Sequence, residues 1–164
     1  MINLIITKAF LLLTMAIVNT KTLTIKSPAF SNNGPIPTKY ACDGSNISPE
    51  LQISEIPEGT KSLVLIVDDP DAPKGTFDHW VMWNIPVKDK IAENSAPGTQ
   101  GKNGKGENKY TGPCPPSGTH HYHFKVYALD TKLDIAANSD KKAVLKAIEG
   151  HIVASGELVG TYKK

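Results

Sequence analysis

The run Leu63-Val64-Leu65-Ile66-Val67 leads straight into Asp68-Asp69-Pro70-Asp71-Ala72-Pro73, and no other stretch limits the fold as strongly. An unbroken aliphatic run that is short and bounded by turn residues predicts a strand buried on both faces. It delivers three carboxylates to a loop whose backbone two prolines stiffen. Adjacent acids repel, so such a loop either holds something or caps its own amides, as Asp does in ordinary turns. The hexapeptide alone leaves both readings open.

A chain of 164 residues suits a single domain with a sizeable core. Its 13 Gly and 12 Pro favour many short strands joined by turns over a helical bundle. A net charge of +2 is too small for a nucleic-acid binder. All 18 basic residues are Lys, so bidentate Arg recognition of carboxylate, phosphate or guanine is excluded. An anion site here must use backbone N–H groups, His, Tyr or Lys.

Residues Met1 to Thr20 differ from the rest. Lys8 is their only charge, and the apolar run Ala9–Val18 is broken only by Thr14. That run is too short to span a membrane, so no transmembrane segment is expected, and it suits the centre of a secretory signal peptide. The expectation is a leader over 1–20 and one domain over 21–164, periplasmic or secreted, or cytoplasmic if the leader is retained. Cys42 and Cys114 lie too far apart for a local metal motif. Export would allow a disulfide between them, and spacing leaves open whether they meet.

Downstream, Lys21–Ser27 alternates as a half-buried strand does, and Asn32–Pro35 is a turn cluster. His79–Ile85 predicts a second interior strand. Period two puts His79, Val81, Trp83 and Ile85 on one face and Trp80, Met82 and Asn84 on the other. Lys88–Tyr110, rich in Gly, Lys and Asn, reads as a long structureless loop. His120–Leu129 predicts a strand with His120, Tyr122, Phe124, Val126 and Ala128 on one face. His121, His123, Lys125 and Tyr127 take the other. A helix is expected over Lys141–His151, N-capped by Ser139 or Asp140, followed by a short strand over Gly156–Tyr162.

Polar groups therefore converge at the ends of apolar strands: the acidic loop, the start of the His79 strand, and Gly112–Gly118 leading into His120 and Tyr122. Convergence of this kind builds small-ligand pockets. At these residues the sequence resembles the phosphatidylethanolamine-binding protein family, which includes the Raf kinase inhibitor proteins. The blocks are Asp69-Pro70-Asp71-Ala72-Pro73, His79-Trp80-Val81 with Asn84, and Gly112-Pro113-Cys114-Pro115-Pro116-Ser117-Gly118 leading to His120 and Tyr122. Tyr40–Gly44, Ser48-Pro49 and the ending Leu158–Tyr162 extend the match and look most like the bacterial branch.

The resemblance implies a mainly β fold, an antiparallel β-sandwich with a few short helices and a small anion pocket. It places that pocket on Asp69, Asp71, His79, Gly112, Pro116, His120 and Tyr122. Position 114 is Cys here, where eukaryotic members carry Gly, so the pocket wall differs at Cys114. The implied activity is non-catalytic binding of a phosphate- or carboxylate-bearing ligand, with no cofactor, and inhibition of a partner kinase or protease. A carboxylate beside a His favours its protonated, donating form, so Asp69 and Asp71 are expected to orient His79 and His120 or to meet a ligand's ammonium. The alternative is a hydrolase using the same Asp and His groups, or the Cys114 thiol. Prolines 113, 115 and 116 count against the thiol, because they strip the N–H donors an oxyanion hole needs. His121 and His123 share a face but lack a third ligand, so no metal site is expected.

Overall fold

The computed structural model describes residues 21–164. The leader expected over 1–20 lies outside the described residues. The strands are β1 (Lys21–Thr22), β2 (Thr24–Lys26), β3 (Gly34–Pro35), β4 (Leu51–Ser54), β5 (Ser62–Asp69), β6 (Phe77–Ile85), β7 (Lys90–Ile91), β8 (Thr99–Gln100), β9 (Thr119–Leu129) and β10 (Ile152–Lys163). One α-helix, α1 (Lys141–Ala147), precedes β10.

The aliphatic run becomes β5, buried at every position, as expected of an uninterrupted apolar strand. It lies at the centre of a sheet ordered β1-β10-β9-β5-β6-β8, with β3 also on β10. A smaller sheet, β2-β4-β7, packs on one face of it. Leu23, Ile25, Leu51, Ile53 and Ile91 there meet Leu65, Val67, Trp80, Met82, Phe124 and Val126 of the large sheet. On the other face Val64, Ile66, Val81 and Trp83 pack against Val144 and Ile148 of the helical segment. Each fully buried aliphatic side chain in these layers contributes about 1.5–3 kcal/mol.

The architecture is thus a β-sandwich with a helix on its outer face, and its long pairings are antiparallel. Two short ones are not: β1 and β3 each pair parallel with β10. The final strand runs from Ile152 to Lys163, longer than Gly156–Tyr162, because its whole length is paired with β9. The helix stops at Ala147, short of His151, and its N-cap is Asp140, whose side chain accepts from the Ala143 N–H.

The stretch 88–110 is not structureless. It holds β7 and β8 and then runs along the edge of β6, where Gly101 N donates to Val81 O and Gly104 N to Asp78 O. Gly101 has no room for a side chain, since a Cβ would stand 2.6 Å from the Trp83 ring.

The alternation of β6 also departs from strict period two. Val67 pairs with Trp80 and Asp68 with Asp78, so His79 is an extra residue in the ladder. A second shift follows at Asn84, whose φ of 53° places it in the left-handed region. Its side-chain amide exchanges two 2.8 Å hydrogen bonds with the Leu133 backbone, which holds the bulge. Ile85 consequently joins Trp80 and Met82 in the core facing the small sheet, while Val81 and Trp83 stay on the helix side.

Candidate functional site

Asp68 and Asp69 are the last two residues of β5 and point to opposite faces by strand alternation, whereas Asp71 lies beyond the strand in the turn. Asp68 faces the helix side, where Lys125 holds both its oxygens at 2.9 and 3.0 Å and Lys141 reaches it at 3.1 Å. Burial works against the Lys141 ammonium, but hydrogen bonds to Asp78 and Asp68 outweigh it and raise its pKa. That network fastens α1 to the sheet. Asp69 faces inward, where its Oδ2 meets His120 Nδ1 at 2.7 Å, both side chains nearly sealed from solvent. Its Oδ1 accepts from the Asp71 N–H at 2.8 Å, so the turn-capping reading and the holding reading are both realised in one carboxylate.

Asp71 does not join this inner group. It is exposed, and its Oδ2 accepts from the backbone N–H and Nδ1 of His121 on the outer face. Those hydrogen bonds hold its pKa below the usual carboxylate range. The expectation that Asp71 orients His79 or His120 through a hydrogen bond is therefore corrected, since the alternation of β9 turns its histidine partner outward.

The bulge decides where His79 goes. In a regular strand it would point with Val81 toward the helix; as the extra residue it points with Trp80 toward the inner face. There its ring meets Tyr122 edge-on at 5.1 Å and Phe77 at 4.8 Å. The predicted grouping of His79 with Val81, Trp83 and Ile85 thus fails at both ends of the strand, for the same physical reason.

His79 Nδ1 lies 2.7 Å from the Thr111 carbonyl. A carbonyl only accepts, so Nδ1 carries the proton and Nε2 presents a lone pair when the ring is neutral. Burial lowers the His79 pKa, and the Thr111 carbonyl and the negative charge of Asp69 offset this only in part. The expected protonated donor is corrected here to a ring biased toward its neutral form.

Tyr122, which meets the His79 ring and follows His120 by two residues on β9, is 1% exposed. Its hydroxyl is buried without a hydrogen-bond partner among the described residues. Burial raises its pKa far above 10, Asp69 adds to this, and the polarity of the nearby Cys114 backbone opposes it only in part. The group remains an O–H donor at any physiological pH.

The wall comes from 110–116. Gly112 N donates to Asn46 Oδ1 at 2.7 Å, and a Cβ on Gly112 would stand 2.1 Å from the Tyr40 carbonyl oxygen. Only glycine allows that approach. Cys114 is bonded to Cys42, their Cα atoms 5.4 Å apart, and Cys42 N donates to Pro113 O. The bond occupies the sulfur that a thiol nucleophile would need. Pro116 is exposed in the same segment.

Asp69, His79, Gly112, His120 and Tyr122 are thus brought together, Cys114 borders them through its backbone, and Asp71 and Pro116 lie toward solvent. Sequence reasoning missed Thr111 and Asn46, which act through a backbone carbonyl and a distant amide and leave no local pattern. His121 and His123 are drawn to opposite sides of β9, by Asp71 beyond β5 and by Glu157 on β10 at 2.6 Å. Among the described residues no group of three or more His, Cys, Asp or Glu side chains is placed to hold a metal ion. Nor is any helix among them long and apolar enough to cross a membrane.

A two-sheet β fold with polar groups converging at strand ends is an arrangement on which small-ligand pockets are built. The family model for phosphatidylethanolamine-binding protein matches residues 26–163, and the chain belongs to that family. A UPF0098 protein of Pyrococcus horikoshii is 49% identical over 149 residues, covering 84% of this chain and 75% of the relative. A UPF0098 protein of Chlamydia trachomatis is 46% identical over 147 residues, covering 85% and 98%. The crystal structure of a phosphatidylethanolamine-binding protein homologue from Chlamydia trachomatis superposes with a TM-score of 0.84 at 43% identity, over 88% of this chain and 99% of that one. Escherichia coli YbcL, described as a member of the mammalian family, gives 0.80 at 32% identity, over 87% and 98%. The bacterial relatives agree with the resemblance to the bacterial branch, and archaeal proteins share it.

Proposed function

We propose that the chain is a non-catalytic binding protein whose His79–His120–Tyr122 cluster captures a small phosphate- or carboxylate-bearing group. The observation that carries this reading is the Tyr122 hydroxyl, a buried donor left without a partner. Buried polar groups are normally satisfied, so an orphan beside two imidazoles supports a ligand oxygen at that point. Both rings spend Nδ1 on fixed protein acceptors, which leaves Nε2 of each for the ligand. Anion capture at His79 then requires uptake of a proton on Nε2.

NMR titration of residues 21–164 with phosphorylethanolamine, following the imidazole signals, tests this. Saturable shifts at His79 and His120 that vanish in His120→Ala are expected; no shift at millimolar ligand removes the reading.

A hydrolase is the second reading, and the buried Asp69–His120 pair favours it, since a carboxylate-oriented imidazole is a general base. Turnover of a phosphoester, lost in His120→Ala, would establish it. The family resemblance extends the proposal to modulation of a partner kinase or protease through the pocket rim. A stable complex with such an enzyme on a sizing column tests that extension. The disulfide and the apolar run over 9–18 support an exported, periplasmic or secreted protein.

A further inference from the structure

A cavity of about 320 Å³ lies beside Tyr110. Its lining includes Trp80, Tyr110, Asn46, Asn94, Gln100 and Lys109. Trp80 and Tyr110 are buried and meet edge-on at 5.5 Å, an apolar floor beneath polar walls. The volume lies at the lower end of the range for small-molecule sites, about 300–1,000 Å³.

The polarity of those walls follows from bonds already made. Gly112 N–H donates to Asn46 at 2.7 Å, and a donor fixes the amide oxygen toward itself. The indole N–H of Trp80 donates to Gln100 at 2.8 Å and fixes that oxygen likewise. The Tyr110 hydroxyl is spent on the Tyr40 carbonyl at 3.0 Å. Each amide oxygen is therefore turned toward its protein donor, which directs the NH₂ group, with its two donors, the other way. Lys109 adds a cation at the rim, where its exposed ion pair with Glu107 at 3.3 Å is weak enough for another anion to compete.

We infer that this cavity is a separate binding site for an oxyanion, a carboxylate or a phosphate, held by Asn46 Nδ2, Gln100 Nε2 and Lys109 Nζ. The site is independent of the cluster at His79 and His120, but Asn46 is its common wall with Gly112. Neutral amides suit an anion here because they donate without repelling one another, and the aromatic floor limits competing water.

The test uses isosteric changes that keep each structural bond. Gln100→Glu retains an acceptor for the Trp80 indole, and Asn46→Asp retains one for Gly112 N–H and tolerates the left-handed backbone at 46, where φ is 55°. Each replaces a donor with a negative oxygen. Inorganic phosphate and succinate, titrated separately against ¹⁵N-labelled 21–164, distinguish phosphate from carboxylate. The side-chain NH₂ signals of Asn46 and Gln100 are expected to shift and saturate with at least one of them. Affinity read there should fall by about tenfold or more in either variant, because like charges face each other, while Lys109→Ala weakens it less. The same signals must still respond in His120→Ala. Failure of these amides to shift, an unchanged response in Gln100→Glu, or loss of the response in His120→Ala would each overturn the inference, whatever happens at His79. Circular dichroism of each variant confirms that loss of binding is not loss of fold.

Discussion

His79 and Thr111 grip each other at both ends: the imidazole Nδ1 donates to the Thr111 carbonyl at 2.7 Å, and the His79 carbonyl accepts from the Thr111 N–H at 3.0 Å. One residue of a glycine-rich loop thereby sets both the position and the tautomer of a buried ring. Because burial lowers the pKa of that ring, its folded form takes a proton less readily than the unfolded chain does. The unfolded ring titrates near pH 6.5, so the stability His79 contributes is complete above about pH 6.5 and lost as pH falls toward the folded pKa. Chemical denaturation at pH 7.5 and 5.5 should show this loss, and His79→Gln should remove it.

An anion reverses that balance. Sulfate, which does not titrate in this range, is expected to bind about tenfold more tightly for each pH unit lost above the folded pKa of His79. Calorimetric titration across pH 6 to 8 measures the slope. A flat profile in the wild type would show that no proton accompanies the anion at His79.

Asp69→Ala removes the partner of a buried imidazole and the acceptor of the Asp71 N–H together. Leaving a buried donor without its acceptor costs about 1–3 kcal/mol. Asp69→Asn keeps an oxygen for the turn and should lose less, which urea denaturation of the two variants would resolve.

Gly112→Ala forces a Cβ against the Tyr40 carbonyl and to 2.8 Å from Asn46 Oδ1, both of them fixed. The wall must move, with an expected loss of about 1–3 kcal/mol, the usual scale for overpacking. Ligand response at His79 should weaken in parallel, readable in the same NMR titration.

The Cys42–Cys114 bond closes a sequence separation of 72. Replacing both with Ser should lower stability by about 2–4 kcal/mol, mainly through a freer unfolded chain. Thermal unfolding of the double variant, compared with the oxidised wild type, checks this.

Much of the scaffold could be read in the sequence because its signals are local. The aliphatic run of β5, the alternation of β9 and the Asp140 cap each depend on neighbours in the chain. The orientation of His79 does not. It depends on register against β5, where two residues of one strand oppose one of the other, and composition carries no trace of that count. Asn84 gave a partial hint, since Asn tolerates the left-handed backbone its bulge requires. Alternation alone would group Asp71 with Asp69, two residues apart, but β5 ends at Asp69 and the turn at Pro70 carries Asp71 out to His121. The stretch 88–110 looked structureless because Gly and Asn backbone groups, rather than a hydrophobic pattern, tie it to β6.

The arrangement around β10 bears on how the chain comes to be folded. β1 and β3, from the first part of the described chain, have their partner in the strand made after all the others. During synthesis these two strands have no partner until Ile152–Lys163 is made, although β2 between them can already pair with β4. Assembly must wait for nearly the whole domain to be translated, and its slow step is a contact between opposite ends of the sequence. Until then β1, β3 and one edge of β9 stay unpaired, available to whatever must handle the chain before it closes.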